Sequence, residues 1–381
     1  MSYPPAVYGL LEECAEVSRT IGSNPFMTLH GGGNTSVKTE DVLYVKASGF
    51  DLAALTPEGL APLSRHALAI MLERDHMSDT ELVEGYRAAR LEPGPAPSIE
   101  ALLHNFLPHR FVLHSHADAI VTLTNALGAD HVALALGVEV LRLPYSMPGF
   151  ELAQTIREAF AARSSQPLAI VQDHHGLFTY ADDADEARAL HECLVDRAQS
   201  YIFERTGVAF ADDDSETRTL HDASGMVALS DQLREFHDGD IYYDVRSSAR
   251  VDEFLARADL AEVTQRGGAS LEHVIRTKRW PMIGVNVPAF AHQYLDYFDR
   301  NSARYDVHLT MLDVLPRVAL IAGTGLVGIG RTEKEASIAA DIYRHTMRII
   351  EAASLLGGYQ SVTEQQSFDI EYWELEQVKL R

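Results

Sequence analysis

The sequence predicts a layered α/β fold in which a central sheet is flanked by helices. Short apolar runs alternate along the chain with segments of helical periodicity, and this alternation is typical of layered α/β domains. The runs that we interpret as strands cover residues 110–115, 138–143 and 167–172. The chain has 381 residues, of which 46% are hydrophobic, and this length favours about two domains.

The domain organisation is predicted from composition. An acidic stretch at residues 211–216 is the best candidate for a boundary. We therefore expect a first domain, then a linker or irregular segment, then a second α/β domain, at residues 1–210, 211–265 and 266–381.

The charge balance excludes several classes of partner. Asp and Glu number 55 against 32 Lys and Arg, so the formal net charge is −23. Such a charge repels nucleic acids and anionic membrane surfaces. No stretch approaches the roughly 20 apolar residues of a membrane helix, and the N-terminus lacks the pattern of a secretory signal. Cys14 and Cys193 lack the spacing of a disulfide or zinc framework, so we expect a cytoplasmic protein.

The first elements can be read in order along the chain. Residues 6–21 carry apolar side chains at helical spacing, and Gly22 ends the helix. A glycine loop follows and leads into strands at residues 35–38 and 42–47, joined by a turn at residues 40–41. We expect these strands to form a hairpin.

The sequence His114-Ser115-His116 ends one of the predicted strands. Residues two apart on a strand point to the same face, so both imidazoles can bind one metal ion. A third ligand is expected from the end of the strand at residues 167–172, where His175 is favoured over His174 because it directly precedes a glycine. With 17 histidines in the chain, solvated or hydrogen-bonded histidines are the alternative interpretation.

A carboxylate upstream can serve the same site. Glu100 begins a helical segment, and it is a candidate fourth ligand, a general base, or both in turn. Alternatively, a glutamate in a first helical turn only complements the helix dipole.

A second constellation has the composition of a phosphate site. Residues 31–36 read GGGNTS, and Ser48-Gly49 follows the hairpin. Glycines expose backbone N–H groups, and Asn and Ser side chains add donors, as phosphate binding requires. Positive charge is available from Lys38, Lys46 and Arg142. The alternative is a plain glycine turn beside a solvated hairpin.

The second half of the chain contains a degenerate repeat of the first. Residues 169–190 align without gaps with residues 318–339, and Gly176 falls on Gly325. Both copies contain a helix-capping signature after the glycine, so we expect strand, loop and helix in each. A weaker match at a different offset sets residues 98–100 beside 270–272. Thr324 stands at the position of His175, so the second copy is expected to have lost the chemistry.

Two further motifs are less specific. Residues 323–328 match GxGxxG, but the capping signature at Thr332 lies beyond the glycines, and no second strand with an acidic end follows. We therefore expect no dinucleotide binding there. The cluster Arg276, Lys278 and Arg279 is interpreted as a solvated basic face, with an anion or subunit contact as the alternative.

Taken in order, the motifs GGGNTS, KASG, PSIE, HSH and HHG resemble those of the class II aldolase and adducin family over residues 8–206. The resemblance implies a class II aldolase-like central sheet, with His114, His116 and His175 binding Zn²⁺ or another divalent ion such as Co²⁺, Mn²⁺ or Fe²⁺. It further implies Glu100 as the acid/base carboxylate. The phosphate cradle that it implies comprises Asn34, Ser48, Gly49 and Ser98. Ile99 departs from the family pattern, which often has a second serine there.

The C-terminal part resembles the middle of bifunctional rhamnulose-1-phosphate aldolase/short-chain dehydrogenase proteins, through HVIRTKRWP, LPRVALIAGTGLVGIGRT and FDIEYWELEQVKL. In those proteins a dehydrogenase follows the equivalent of Glu371-Tyr372-Trp373, but this chain stops at Arg381. We therefore expect no NAD in this chain, and we expect any aldehyde oxidation either to come from a separate aldehyde dehydrogenase or not to occur.

The resemblance implies an aldolase that cleaves a 1-phosphoketose, most simply L-rhamnulose 1-phosphate, to dihydroxyacetone phosphate and lactaldehyde. A sugar-phosphate epimerase or dehydratase, a noncatalytic adducin-like scaffold and a metal hydrolase are the alternatives. The family also implies a homo-oligomer, typically a cyclic tetramer. A distal proton donor is expected from another subunit or from a tyrosine, the candidates being Tyr145, Tyr180, Tyr359 and Tyr372.

Overall fold

The computed structural model describes residues 4–211, 224–237 and 239–377, and its internal contacts divide the chain into two compact units. The first unit comprises Met1–Thr124 and Asp130–Glu204, and the second comprises Asn125–Ala129 and Arg205–Arg381. Each unit is a mixed α/β structure with its own sheet.

The first unit contains eight α-helices, two short 3-10 helices (Leu52–Ala54 and Pro57–Gly59) and seven strands among its described residues. The helices are α1 (Pro5–Gly22), α2 (Arg65–Leu72), α3 (Asp79–Ala89), α4 (Ala101–Phe106), α5 (Asp118–Asn125), α6 (His131–Leu136), α7 (Phe150–Ala161) and α8 (Ala184–Thr206). The strands are β1 (Asn34–Lys38), β2 (Val42–Lys46), β3 (Leu60–Ser64), β4 (Phe111–Ser115), β5 (Val140–Leu143), β6 (Ala169–Gln172) and β7 (Gly176–Ala181). The predicted first helix, the first hairpin and the three apolar strands are all present.

The first sheet has the strand order β3-β2-β1-β4-β7-β6-β5. Only β5 and β6 pair in parallel, and the other neighbours are antiparallel. Strands β1, β4 and β7 therefore lie side by side in the middle, with His114 opposite Asn34 on one side and Phe178 on the other. Apolar side chains from the sheet and from α2, α3, α4 and α7 form the core beside it.

The second unit contains eight helices and four strands among its described residues. The helices are α9 (Ser224–Arg234), α10 (Ala249–Leu255), α11 (Leu260–Thr264), α12 (Leu271–Thr277), α13 (Val287–Ser302), α14 (Glu333–Leu356), α15 (Glu364–Glu371) and α16 (Glu374–Gln377). The strands are β8 (Tyr242–Arg246), β9 (Met282–Ile283), β10 (Val318–Ile321) and β11 (Gly325–Gly330).

The segment 211–265, which we expected to be a linker or irregular, is ordered structure over much of its described length. It includes α9, β8, α10 and α11. Strand β8 pairs with β11 about 80 residues further on, and Val245 and Leu229 are buried in the core of the second unit. Burial in that core accounts for the difference. Residues 212–216 of the acidic stretch lie outside the described residues.

The predicted repeat is present in the structure. Strands β10 and β11 lie 149 positions after β6 and β7, and α14 begins 149 positions after α8. The hairpin register is conserved as well, since Gln172 pairs with Gly176 and Ile321 pairs with Gly325. The second sheet, β8-β11-β10-β9, has the order and strand directions of β4-β7-β6-β5.

The same close approach occurs at the start of the second hairpin strand in each unit. A Cβ atom on Gly176 would lie 2.1 Å from the carbonyl oxygen of Ser115, and one on Gly325 would lie 2.3 Å from that of Arg246. Ser115 and Arg246 occupy equivalent positions in β4 and β8, because each pairs with the residue after the glycine. The glycines are thus required by sheet packing in both units.

The structure also locates three smaller features of the sequence. Asp183 accepts hydrogen bonds from the N–H groups of Asp185 and Glu186, and Thr332 caps α14. The GxGxxG motif forms the turn and second strand of the β10–β11 hairpin. The weaker match is wrong, because residues 98–100 precede β4 but residues 270–272 follow β8. Among the described residues, no helix has the length and apolar character needed to cross a membrane.

Candidate metal centre

Two neighbouring strands bring the three predicted histidines together. His114 is the fourth residue of β4, and His116 follows the strand end directly. His175 lies in the short turn between β6 and β7. Because β7 pairs with β4 in antiparallel register, with Leu177 opposite Ser115, this turn lies beside the end of β4.

The imidazole nitrogens of these histidines converge on one point. Nε2 of His114 lies 2.9 Å from Nε2 of His116 and 3.3 Å from Nε2 of His175. One nitrogen from each ring lies within 4.8 Å of the other two, as a common metal ion requires. His114 and His175 are buried, and His116 is half-buried.

Hydrogen bonds around the rings leave the Nε2 atoms available. Nδ1 of His114 lies 3.1 Å from the carbonyl oxygen of Leu177, and Nδ1 of His175 lies 2.5 Å from Oε1 of Gln172. Both oxygens accept, so each Nδ1 carries the proton and each Nε2 carries a lone pair. Burial, together with the neighbouring imidazoles, keeps the pKa of His114 well below its ordinary value. This donor set fits a zinc-type divalent ion.

Glu100 faces this cluster from the residue before α4. Its Oε2 lies 3.6 Å from Nε2 of His114, and its Oε1 lies 3.6 Å from Nε2 of His175. The side chain is buried, and Nδ2 of Asn34 donates a hydrogen bond of 2.6 Å to Oε2. A carboxylate in this position can ligate an ion or transfer a proton beside it.

The residues expected to cradle phosphate have different surroundings. Asn34 is buried and bonded to Glu100. Ser48 and Ser98 lie on adjacent segments, because the N–H of Ser48 donates to the carbonyl oxygen of Ala96 and the N–H of Ser98 donates to that of Lys46. Ser48 and Gly49 are exposed. Gly49 has a φ of 84°, and a Cβ there would meet open space.

Two of the three basic residues proposed near the cradle form their hydrogen bonds away from the glycine loop. Nζ of Lys38 donates to the carbonyl oxygens of His104 and Leu107, at the end of α4. Arg142 forms a two-pronged ion pair with Asp173, at 2.7 and 3.2 Å. Nζ of Lys46 donates to the carbonyl oxygen of Gly31 in the glycine loop at 3.2 Å, so Lys46 is the one of these three that lies beside that loop.

The hydroxyl groups of all four candidate tyrosines lie near partners within the protein. Those of Tyr180 and Tyr359 donate to the carbonyl oxygens of Pro167 and Gly267, and that of Tyr372 lies 2.8 Å from the hydroxyl of Tyr294. Tyr145 is half-buried, and its hydroxyl lies 3.4 Å from Sδ of Met147. All four tyrosines therefore remain candidates for the distal proton donor.

The basic cluster in the second unit is not a solvated face. Lys278 is buried and donates to the carbonyl oxygen of Asp313, and Arg279 donates to the carbonyl oxygens of Arg266 and Thr363. Burial lowers the pKa of Lys278 to about 7. These side chains hold loops of the second unit in place.

The second unit does not repeat the histidine cluster. Val245 stands in β8 where β4 has His114, since each lies opposite the equivalent residue of the next strand. Thr324 and Ile321 stand where the first unit has His175 and Gln172. The second unit therefore keeps the sheet of the first unit but lacks its imidazole ligands at these positions.

Sequence reasoning missed two residues of the site. Gln172 orients His175, and its position three residues before that histidine, at a strand end, was the available signal. His104 contacts Asn34 from α4, but it lies within an apolar helical segment. Its spacing of four residues from Glu100, which places both on one helix face, was the signal there.

Comparison with protein families agrees with this architecture. The model of the class II aldolase and adducin N-terminal domain matches residues 12–202, and that of the second domain of class II aldolases matches residues 221–380. The chain belongs to the class II aldolase and adducin family.

Individual relatives are more distant. The chain is 29% identical, over 97% of its length, to an uncharacterized oxidoreductase, YuxG, of Bacillus subtilis strain 168, and it spans 58% of that protein's length. It is 37% identical to the N-terminal class II aldolase domain of a conserved protein from Thermoplasma acidophilum, with 53% of this chain and 96% of the other covered and a TM-score of 0.47. L-fuculose-1-phosphate aldolase from Thermus thermophilus is 22% identical, with 52% of this chain and 98% of the other covered and a TM-score of 0.35.

Proposed function

We propose that the protein is a divalent-metal-dependent class II aldolase that cleaves a 1-phosphoketose to dihydroxyacetone phosphate and an aldehyde. L-Rhamnulose 1-phosphate is the proposed substrate and lactaldehyde the proposed aldehyde. The observation that carries the proposal is the cluster of three imidazoles, with one nitrogen of each within 4.8 Å of the other two. The Glu100 carboxylate lies 3.6 Å from Nε2 of His114 and from Nε2 of His175. The motifs shared with the bifunctional rhamnulose-1-phosphate aldolase proteins support the choice of sugar.

His114, His116 and His175 would hold the ion through Nε2. A bound zinc-type ion supplies Lewis acidity, which stabilises negative charge developing on the oxygen atoms of the substrate. The chain keeps the two buried rings in the binding tautomer through the carbonyl of Leu177 and the side chain of Gln172. These hydrogen bonds remove the need to reorganise the rings on binding.

Glu100 would carry the proton of the reaction. Cleavage of the bond between C3 and C4 of the ketose leaves its electron pair on C3, and the protonated carboxyl group returns a proton to that carbon. In the condensation direction the carboxylate removes the same proton. The hydroxyl on C4 loses its proton as it becomes the aldehyde, and one of the four candidate tyrosines or a group from another subunit is the proposed acceptor.

Ser48, Gly49 and Ser98 would bind the phosphate, with Lys46 beside them. The Ser48-Gly49 turn is exposed, and the hydrogen bond from the N–H of Ser98 to the carbonyl oxygen of Lys46 places Ser98 on the adjacent segment. A phosphate at this point fixes the end of the ketose next to its carbonyl group. We further propose that the protein is a homo-oligomer.

The test is release of dihydroxyacetone phosphate from L-rhamnulose 1-phosphate by the Zn²⁺-loaded protein, followed in a coupled assay with and without chelator. His116→Ala should abolish release, because it removes one of the three proposed ligands. His109→Gln is the matched control, since it alters a half-buried histidine of the same unit that lies outside the cluster, and it should retain activity.

Other products would identify the alternatives. An isomer of unchanged mass would indicate an epimerase, and a product that has lost water would indicate a dehydratase. Metal bound without conversion of this sugar or of L-fuculose 1-phosphate would overturn the aldolase assignment. A protein that binds no metal would be a scaffold.

A further inference from the structure

A continuous chain of hydrogen bonds runs from the middle of the first sheet to Glu100. Oγ of Ser36 lies 2.7 Å from Nδ1 of His104, and Nε2 of His104 lies 2.5 Å from Oδ1 of Asn34. Nδ2 of Asn34 then donates to Oε2 of Glu100 at 2.6 Å. All four side chains are at most 7% exposed.

The direction of each hydrogen bond follows from the two ends. The Glu100 carboxylate accepts, so Asn34 presents its amide NH₂ group to Glu100 and its carbonyl oxygen to His104. That oxygen only accepts, so Nε2 of His104 must carry the proton. Nδ1 then has the lone pair and accepts from the hydroxyl of Ser36. Burial lowers the pKa of His104 to about 3, which agrees with a neutral ring that has a single tautomer.

Local structure provides the geometry. Asn34 and Ser36 are two residues apart on β1 and share a face of the sheet. Glu100 and His104 are four residues apart at the start of α4 and share a face of the helix. Lys38 is buried under the same helix, where it donates to the carbonyl oxygens of His104 and Leu107. Asn34 and Ser36 on β1 therefore stay opposite Glu100 and His104 at the start of α4.

The orientation of Asn34 decides the position of Glu100. An amide side chain can turn over about its last bond, and the reversed form would place Oδ1 against the carboxylate of Glu100. Only the observed orientation holds Oε2 by a hydrogen bond and keeps the carboxylate 3.6 Å from both His114 and His175. The N–H of His104 stabilises that orientation, because a reversed amide would present a donor to a donor.

We propose that His104 is a positioning residue of the active site, which fixes the amide of Asn34 and thereby holds the Glu100 carboxylate against the metal centre. The proposal rests on the proposed function for the role of Glu100 in catalysis. It gives Asn34 a role in holding the Glu100 carboxylate, besides the phosphate-binding role that the resemblance implies.

Two substitutions separate the roles of the two ring nitrogens. In His104→Gln the amide NH₂ falls near the position of Nε2 and can still donate to Asn34. In His104→Asn the side chain reaches only the position of Nδ1, so it retains a partner for Ser36 and loses the donor to Asn34. We expect His104→Asn to lower kcat for dihydroxyacetone phosphate release by about 10–100-fold, with KM changed less than about threefold, and His104→Gln to restore most of kcat.

The control is His131→Asn. His131 is a buried histidine of the same unit, and its Nδ1 lies 2.9 Å from the hydroxyl of Tyr201. The substitution tests the loss of a buried imidazole away from the chain of hydrogen bonds, and kcat should be unchanged. Zn²⁺ content should stay at the wild-type level in all three variants, because the three Nε2 atoms are untouched. Equal activity of His104→Asn and His104→Gln, or loss of metal in either, would contradict the proposal.

A measurement without substrate keeps the proposal separate from the aldolase assignment. Selective ¹⁵N labelling of histidine reports the tautomer of each ring, and we expect His104 to be neutral with the proton on Nε2. A crystal structure of His104→Asn should show the Glu100 carboxylate displaced from its contact with Asn34. If wild-type protein releases no triose phosphate but these two results hold, the proposed function fails and the positioning role stands. A proton on Nδ1, or an unmoved Glu100, would overturn the positioning role itself.

Discussion

Gln172 accepts a hydrogen bond from Nδ1 of His175 at 2.5 Å, and its own amide group donates to the carbonyl oxygen and the hydroxyl of Ser146, at 3.0 and 2.8 Å. Gln172 is fully buried. The glutamine is therefore held on both sides, and it in turn fixes the ring of His175.

Gln172→Leu should weaken Zn²⁺ binding by about 10–100-fold, because removing the acceptor leaves Nδ1 of His175 unsatisfied and its ring unoriented. Affinity is measured by competition with a chromophoric chelator. Gln154→Leu is the control, since that side chain on α7 donates to the carbonyl oxygens of Leu72 and Arg74 and should leave the affinity unchanged. Equal affinity in wild type and Gln172→Leu would show that His175 needs no such support.

Gly176→Ala and Gly325→Ala should both destabilise their units, by about 2–4 kcal/mol, because a Cβ would lie 2.1 or 2.3 Å from a backbone oxygen of the adjacent strand. They should differ in metal binding. In Gly176→Ala, separation of β7 from β4 moves His175 away from His114. In Gly325→Ala, the strands that separate carry Val245 and Thr324 at the equivalent positions, so the histidine cluster is unaffected. Thermal unfolding with and without Zn²⁺ checks this: metal should raise the transition temperature of Gly325→Ala and not that of Gly176→Ala. The same response in both would contradict the separation.

The parts of the molecule that were predictable depend on local pattern. The HxH strand, the first hairpin and the strand-loop-helix repeat are encoded in short stretches, where side-chain alternation and capping residues act over a few positions. Strand β8 was missed because its partner, β11, is about 80 residues away, and its sequence YYDVR does not stand out as an apolar run.

The candidate site could likewise be predicted only where its residues are close in sequence. Spacing predicted that His114 and His116 share a face, but it gave no information on what the Nδ1 atoms contact. Asn34 has donors and acceptors suited to phosphate and equally to a carboxylate, so composition did not distinguish the two. The packing of β1 against α4, which no local pattern encodes, brings it to Glu100 and His104.

Stability should fall in mild acid partly because of His191. Its Nε2 lies 2.7 Å from the hydroxyl of Ser115 and its Nδ1 lies 2.8 Å from that of Thr179, and burial lowers its pKa to about 3. The unfolded chain takes up this proton near pH 6.5 and the folded chain does not, so its contribution is present above about pH 6.5 and is lost as the pH falls toward 3.

His191→Gln removes that contribution to the pH dependence. Between pH 6.5 and 4.5 the free energy of unfolding should fall by about 2 kcal/mol less in the variant than in wild type, from roughly 1.4 kcal/mol per pH unit for one proton. Urea unfolding at both pH values measures this. His292→Gln, at a side chain that is 79% exposed, should retain the wild-type dependence. Parallel curves for wild type and His191→Gln would rule out His191 as a source of the acid sensitivity.

Lys38 connects the stability of α4 to the position of Glu100. Its buried ammonium group donates to the carbonyl oxygens of His104, in the last turn of the six-residue helix α4, and of Leu107, which follows that helix. Lys38→Met keeps the apolar stem and removes the donor, so two buried carbonyl groups lose their partner.

Lys38→Met should therefore lower the free energy of unfolding by about 2–4 kcal/mol, as measured with urea. It should also lower kcat, because α4 follows Glu100 and carries His104, while Zn²⁺ affinity should change little since the three histidines lie on β4 and in the β6–β7 turn. Lys334→Met replaces an exposed lysine at the start of α14 and should leave all three quantities unchanged. If Lys38→Met lowered metal affinity as much as kcat, the position of α4 would also determine the geometry of the histidine cluster. The proposed separation of carboxylate positioning from metal binding would then be wrong.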